Sequence, residues 1–138
     1  MTGDEIVYAA RQCLSTPFRH QGRLVGIGLD CAGVIVHVGR TIGADVIDVE
    51  GYGRTPNDNQ LLRTLDLQTC LRVVPDNACR QSGDILLMRI ATDPQHLAVY
   101  TGNTIIHAHE ASGMCVEHLL SPVWASRVVR VYRFEGVE

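Results

Sequence analysis

The hydrophobic pattern of this chain changes its period midway, and that change leaves few folds open. In residues 6–14, and again after Cys31, apolar residues recur at the spacing of a helix. From residue 84 onward the apolar segments are short and separated by turn residues, as strands are. The predicted extended segments are 71–75, 84–90, 96–100, 104–109, 114–119 and 128–134, with a Gly102-Asn103 hairpin turn after the third. Helices followed by consecutive antiparallel strands indicate an α+β domain.

Local signals indicate where the first two helices begin and end. A capping box begins at Thr2, and Ser15–Pro17 ends the first helix because the residue before proline avoids helical angles. Asp30 is a good N-cap for the second helix, which places Cys31 in its first turn. We expect Gly39–Gly43 to end this helix. Its β-branched residues leave a strand as the alternative.

A third helix is predicted after a polar loop. Thr55 as N-cap and Pro56 at the first helical position begin a segment that continues to Leu65. Tyr52 and Arg54, from the loop before it, are candidates for the wall of a substrate groove.

Length and composition exclude several classes of protein. A chain of 138 residues has the size of one domain, which we assign to residues 1–138. The net charge is −3 and the 12 basic residues are scattered, so we expect no nucleic-acid partner. No apolar run approaches the roughly 18 residues that span a bilayer, so we expect no membrane partner. The acidic start of the chain is unlike a signal peptide, which predicts cytoplasmic synthesis without export.

Among five cysteines, only Cys31 lies where a reactive thiol is expected. No Cys-x-x-Cys pair is present, so neither a disulfide framework nor a cysteine-rich zinc module is indicated. The N–H groups and dipole of a helix N-terminus favour a thiolate, and the same N–H groups can hold a developing oxyanion. Cys13 is predicted within the first helix, and the other three lie in or beside strands and loops.

The strand histidines offer a base for such a thiol. His96 begins one strand of the predicted hairpin and His107 lies in the other, so that one imidazole can take a proton while the second orients it. His109 points to the same face as His107, and spacing does not choose between them. These three histidines also suit a zinc site, although no carboxylate or cysteine at a suitable spacing completes it. His37 and His118 are interpreted as surface residues without a role.

Several segments, taken together, resemble the NlpC/P60 family of cell-wall cysteine peptidases, in particular its phage-encoded, tail-associated branch. Their order and spacing follow the family along almost the whole chain, and as a set they are specific. The matching segments are 16–22 (TPFRHQG), 28–35 (GLDCAGVI), 82–86 (SGDIL), 95–100 (QHLAVY) and 105–108 (IIHA).

The resemblance implies a papain-like α+β fold, with N-terminal helices packed on a small antiparallel sheet. It implies Cys31 as nucleophile, His96 as general base and acid, and His107 as the residue that orients His96. No metal or other cofactor is implied. The implied substrate is the stem peptide of peptidoglycan, cleaved through a thioester acyl-enzyme, commonly between γ-D-glutamate and a diamino acid.

The sequence departs from the family pattern at two positions. Many members carry a tyrosine whose hydroxyl helps the oxyanion hole, and here that position is Phe18. We expect His20 or Gln21 to supply the donor instead, and we include Asp30 with them as an oxyanion or substrate candidate. The second departure is alanine in place of serine directly after Cys31.

The phage branch also implies where the protein acts. Its members are encoded among tail genes, so the expected partners are proteins of a phage tail or a tail-like particle that carries the chain to the cell wall. Two other functions remain open. One is a structural tail-tip or assembly protein that keeps the fold without the chemistry, and the other is an amidase or acyltransferase that uses the same thioester.

Overall fold

The computed structural model describes residues 1–53, 59–90 and 93–138, and within them the predicted α+β class is confirmed. The helices are α1 Gly3–Arg11, α2 Cys31–Thr41, α3 Gln60–Asp66 and α4 Pro122–Ala125, with a 3₁₀ turn at Glu110–Ser112. The strands are β1 Arg23–Leu24, β2 Gly28–Leu29, β3 Leu71–Val74, β4 Ile85–Ile90, β5 Asp93–Tyr100, β6 Thr104–His109, β7 Met114–Leu119 and β8 Val128–Phe134. No helix in this part of the chain has the length and apolar character needed to cross a membrane.

The first helix has the cap that its sequence predicts. The Thr2 hydroxyl accepts a hydrogen bond from the Glu5 backbone, and the Glu5 carboxylate accepts one from the Thr2 backbone, each at 3.3 Å. One face of α1 is fully buried through Ile6, Ala9 and Ala10, which pack into the main core. The helix ends at Arg11, so Cys13 lies in the following turn and the prediction that it is helical is wrong.

The second helix begins and ends where predicted. Asp30 caps α2 by accepting from the Gly33 backbone N–H at 2.8 Å, and the segment is a helix, not a strand. It ends at Thr41, within the predicted Gly39–Gly43 range; Gly43 follows with a φ of 79°, and Gly39 is packed inside the fold. A Cβ atom at Gly39 would lie 2.1 Å from a methyl group of Val46, which accounts for a glycine within the helix.

The third helix is described from Gln60 onward. It starts at Gln60, after Asn59 in a left-handed conformation with φ of 57°. The predicted cap Thr55 and first residue Pro56 lie outside the described residues, as does Arg54. Leu65, the last residue of the predicted helix, lies in α3 and packs into the core.

The main sheet is antiparallel and has the strand order β3-β8-β4-β5-β6-β7. Its central strand β4 is apolar on both faces, which explains why the sequence shows an unbroken hydrophobic run there. Ile85 and Leu87 face the core formed with α1, α2 and α3, whereas Leu86 and Met88 face a smaller cluster that includes Trp124 of α4. The sheet therefore lies between two packed layers. The candidate site is at the ends of the strands beside α2.

Candidate active site

The start of α2 is held in place by a close backbone contact. A Cβ atom at Gly33 would lie 2.2 Å from the carbonyl oxygen of Gly22, so only glycine lets the loop at residues 18–22 cross the first helical turn. This contact fixes the position of Cys31 relative to that loop. The glycine two residues after the cysteine is thus explained by packing, not by chemistry.

The thiol of Cys31 lies between its own helix and strand β5. Burial and, to a smaller extent, the Asp30 carboxylate raise its pKa to about 12, although hydrogen bonds from backbone groups of Leu97 and Ala32 oppose this shift. The direction is opposite to the one that a helix N-terminus predicts, because desolvation outweighs the helix dipole. Cys31 is therefore a neutral thiol. It contacts the backbone of Leu97, the residue directly after His96.

His96 is buried in β5 with 8% of its surface exposed. Burial, together with smaller contributions from positive charge on His109, Arg127 and His118, lowers the pKa of its imidazole to about 3. A neutral imidazole beside a neutral thiol can accept the thiol proton when an electrophile is present.

A row of three histidines runs from His96 across the sheet. The Nε2 atom of His96 lies 2.6 Å from Nδ1 of His107, and Nε2 of His107 lies 2.8 Å from Nε2 of His118. Nδ1 of His118 lies 2.9 Å from the carbonyl oxygen of Leu119. His107 is fully buried, and this burial lowers its pKa to about 2.

The interpretation of His118 as a surface residue without a role therefore requires correction. Its strand β7 pairs with β6 so that His118 lies opposite Ile105, on the same face as His107. The alternation of side chains along β7 is visible in the sequence. It places His118 beside His107 only when the register between β6 and β7 is known.

Trp124 packs against this row from α4. Its ring centroid lies 5.1 Å from that of His107, 5.1 Å from that of His118 and 6.5 Å from that of His96. The Arg127 guanidinium lies 4.5 Å from the centre of the Trp124 ring. The indole thus limits the access of water to the imidazole contacts.

His109 has a different environment from His107. Its Nδ1 atom lies 2.7 Å from the Ser112 hydroxyl, and its side chain is part of the cavity wall. The structure therefore brings His107, not His109, into hydrogen-bond contact with His96. Within the described part of the chain, no group of three or more histidine, cysteine, aspartate and glutamate side chains is arranged to hold a metal ion.

A cavity of about 490 Å³ opens onto Cys31 and His96. Apolar residues of α2, α3 and the segment between them supply much of its wall, which includes Ile35, Val46, Ile47, Leu61 and Leu65. Its polar and reactive wall residues include His20, Arg23, Asp30, Cys31, Asp48, Tyr52, Gln95, His96, His109 and Glu110. A largely apolar cleft with a few convergent polar groups is typical of a ligand site.

Asp30 is the centre of a polar network at one end of this cavity. One carboxylate oxygen accepts from the Gly33 N–H and from Arg23, each at 2.8 Å. The other oxygen accepts from the Gln21 backbone N–H at 2.9 Å and from the Tyr52 hydroxyl. With 4% of its surface exposed and four donors around it, Asp30 holds the loops on both sides of Cys31 together.

The two predicted substitutes for the family tyrosine both contact the loop that carries Tyr52. Nε2 of His20 lies 3.1 Å from the Tyr52 carbonyl oxygen, and the Gln21 amide donates to the same oxygen at 2.8 Å. Both groups therefore hold Tyr52 in place, and His20 also lines the cavity, as does Phe18. The Tyr52 phenol contacts Asp30 and Arg23, and Tyr52 lines the same cavity as Cys31. The spacing of residues in the sequence did not indicate these contacts.

The remaining cysteines differ from Cys31 in position. Cys13 and Cys115 are buried in the main core, and burial raises the pKa of each to about 12. Cys70 is half-buried on the cavity wall, and Cys79 is exposed. Among the described cavity residues, only Cys31 combines a thiol with a neighbouring imidazole that is itself hydrogen-bonded.

Comparisons with known proteins agree with this architecture. An NlpC/P60 family protein from Bacillus cereus ATCC 10987 has a TM-score of 0.71 at 18% identity, over 97% of this chain and 40% of that one. The NlpC/P60 domain of the peptidoglycan hydrolase SagA gives 0.63 at 19%, over 95% of this chain and 97% of the domain. The peptidoglycan hydrolase RipB from Mycobacterium tuberculosis gives 0.64 at 16%, over 99% and 65%.

These structural neighbours confirm the predicted fold, and the chain spans about two fifths of the length of the Bacillus protein. The search of curated proteins gave no match. The family model described as the NlpC/P60 family matches residues 15–133, from the turn after α1 almost to the end of β8. The chain therefore belongs to the NlpC/P60 family.

Proposed function

We propose that the chain is a cysteine peptidase that hydrolyses amide bonds in the stem peptides of peptidoglycan. Cys31 is the nucleophile, His96 the general base and acid, and His107 the residue that orients His96. The observation that carries the proposal is the buried His96. It hydrogen-bonds His107 on one side, and on the other its neighbour Leu97 hydrogen-bonds the Cys31 thiol.

The proposed reaction begins from the neutral pair. Burial raises the pKa of Cys31 and lowers that of His96, so no ion pair forms before substrate binds. His96 accepts the thiol proton while sulfur attacks the amide carbonyl, and backbone N–H groups at the start of α2 stabilise the oxyanion. His96 then protonates the leaving amine, and water hydrolyses the thioester to release the acid and the free thiol.

Peptidoglycan as the substrate is supported by the family and by two of its structural neighbours. SagA and RipB are both described as peptidoglycan hydrolases. We propose the bond between γ-D-glutamate and the diamino acid as the cleaved bond, in line with the resemblance seen in the sequence motifs.

We further propose that the protein acts as a component of a phage tail or tail-like particle. The support for this is the resemblance of the motifs to the phage-encoded branch. The alternative is a structural tail protein that needs no chemistry. The histidine contacts around His96 favour a catalytic role, because a structural role does not require an imidazole that is buried without a charged partner.

Digestion of purified peptidoglycan tests the hydrolase. We expect wild type to release fragments with new amine and carboxyl ends, identified by mass spectrometry, and Cys31→Ala and His96→Ala to release none above background. Cys79→Ser is the matched control, because it removes a thiol that is exposed and outside the cavity. Equal digestion by wild type and Cys31→Ala would refute the assignment of the nucleophile.

The same variants separate catalysis from assembly. If the protein is a tail component, mass spectrometry of purified particles should detect both wild type and Cys31→Ala. Particles that contain the variant but do not digest peptidoglycan support the hydrolase, whereas full digestion supports the structural alternative. His20→Ala and Gln21→Ala test the oxyanion candidates, and unchanged turnover would remove the substituted residue from that role.

A further inference from the structure

A backbone carbonyl fixes the proton position on the outermost of the three histidines. Nδ1 of His118 lies 2.9 Å from the Leu119 carbonyl oxygen, and a carbonyl oxygen can only accept. The Nδ1 atom of His118 must therefore carry hydrogen. In the neutral imidazole, Nε2 of His118 is then a bare acceptor.

This assignment determines the next two rings in turn. Nε2 of His107 lies 2.8 Å from the bare Nε2 of His118, so it must carry the hydrogen and leave Nδ1 of His107 bare. Nε2 of His96 lies 2.6 Å from that bare Nδ1 and must donate to it. The remaining nitrogen of His96, Nδ1, is therefore unprotonated and available as a base.

We propose that His118 is a positioning residue that selects the tautomer of His96 in which Nδ1 is free to take the Cys31 proton. The proposal rests on the proposed function in one respect, since the selected atom is the base of that reaction. His118 touches neither Cys31 nor the cavity wall, and it acts through His107.

Without an acceptor at residue 118, His107 has two tautomers that both satisfy His96. In one, His107 accepts from His96, as described above. In the other, Nδ1 of His107 carries the hydrogen and donates to His96, which places the remaining hydrogen of His96 on Nδ1 and removes its basic lone pair. An acceptor fixed at residue 118 disfavours the second arrangement, because it would leave two bare nitrogens facing each other at 2.8 Å.

The surroundings make this selection effective. Trp124 packs against His107 and His118 with ring centroids 5.1 Å away, which limits the water that can replace either partner. His118 also lies in β7, at the edge of the sheet, and is half-buried, so it can be substituted without opening the main core.

The wild-type protein provides the first test. Two-dimensional ¹⁵N NMR of the imidazoles at neutral pH distinguishes protonated from bare ring nitrogens and requires no substrate. We expect hydrogen on Nε2 of His96, on Nε2 of His107 and on Nδ1 of His118. Hydrogen on Nδ1 of His96 or of His107 in the folded protein would overturn the proposal.

Two substitutions then reverse or retain the acceptor. The carboxylate of His118→Glu can only accept from His107, whereas the ammonium group of His118→Lys can only donate. We expect His118→Lys to move hydrogen to Nδ1 of His96 and to slow alkylation of Cys31 by iodoacetamide about tenfold or more, since loss of a general base costs about 10²–10⁴-fold. We expect His118→Glu to retain the wild-type tautomer and to restore most of the rate.

His37→Lys is the matched control, because it makes the same exchange on α2 in a histidine that contacts Gln12 instead. Equal alkylation rates in His118→Lys and wild type, with Nδ1 of His96 still bare, would refute the inference. If His118→Lys does not fold, the wild-type tautomers still decide. Tautomers and alkylation as expected, without digestion of peptidoglycan, would refute the proposed substrate but leave this inference standing.

Discussion

Acid should destabilise this protein because His96 and His107 are buried in their neutral forms. Burial lowers the pKa of His96 to about 3 and that of His107 to about 2, from an ordinary value of 6.5. Below pH 6.5 the unfolded chain binds protons that the folded chain does not, so stability falls with pH down to about 3. Above about pH 7.5 neither imidazole contributes a pH dependence, because it is then neutral in both the folded and the unfolded chain.

The magnitude follows from the difference in bound protons. At pH 5 the unfolded imidazole is almost fully protonated and the folded one is not, which costs about 2 kcal/mol for each histidine. The two together cost about 4 kcal/mol, a large part of the roughly 5–15 kcal/mol that a domain has. The protein should therefore be markedly less stable at pH 5 than at neutral pH.

Urea denaturation at pH 5, 6, 7 and 8 measures this effect in wild type and in His107→Asn. We expect the variant to lose about 2 kcal/mol less than wild type between pH 7 and 5, whatever its stability at pH 7. Other titrating groups are common to both proteins and cancel in the difference. The two curves should run nearly parallel above pH 7, which is the internal control. Equal losses between pH 7 and 5 would show that His107 is not buried as a neutral group.

Three substitutions probe contacts of the site and of the surrounding fold. Gly33→Ala places a Cβ atom 2.2 Å from a backbone carbonyl oxygen, so it should cost at least about 1–3 kcal/mol; an unchanged Tm would contradict this contact. Arg133 forms an ion pair with the buried carboxylate of Asp84, which is 1% exposed. Arg133→Met removes this cationic partner and should cost about 3–5 kcal/mol in urea denaturation. Adding Asp84→Asn should recover part of that loss. Tyr52→Phe removes the hydroxyl that donates to Asp30 and should cost about 1–2 kcal/mol, whereas a loss within about 0.5 kcal/mol would mean that the network tolerates its absence.

The sequence was sufficient for the order and type of the elements, because hydrophobic period and capping are local properties. Thr2 and Asp30 cap helices as their side chains predict, and the hairpin around Gly102-Asn103 forms with Val99 opposite Ile106. The sequence was less exact about the residue at which each element ends, because neighbouring residues can carry similar local signals. Gly39 lies inside α2 because Val46 packs against it, although glycine ordinarily favours the end of a helix.

The sequence by itself also determined which groups are available for chemistry. A cysteine at a helix start and histidines on a later hairpin follow from spacing, whatever the details of packing. Spacing left His107 and His109 equivalent, because a period of two sends both to the same face. It gave no reason to connect His118 with them, since side chains on neighbouring strands meet only when the register is fixed.

The tertiary structure decided the contacts and the electrostatics of the site. It set His107 between His96 and His118, covered that row with Trp124, and brought Tyr52 to Asp30 across 22 residues of chain. It also reversed the expected direction of the Cys31 pKa. The helix N-terminus is a local feature worth a fraction of a pKa unit to about one, whereas desolvation depends on everything packed around the thiol and here has the larger effect.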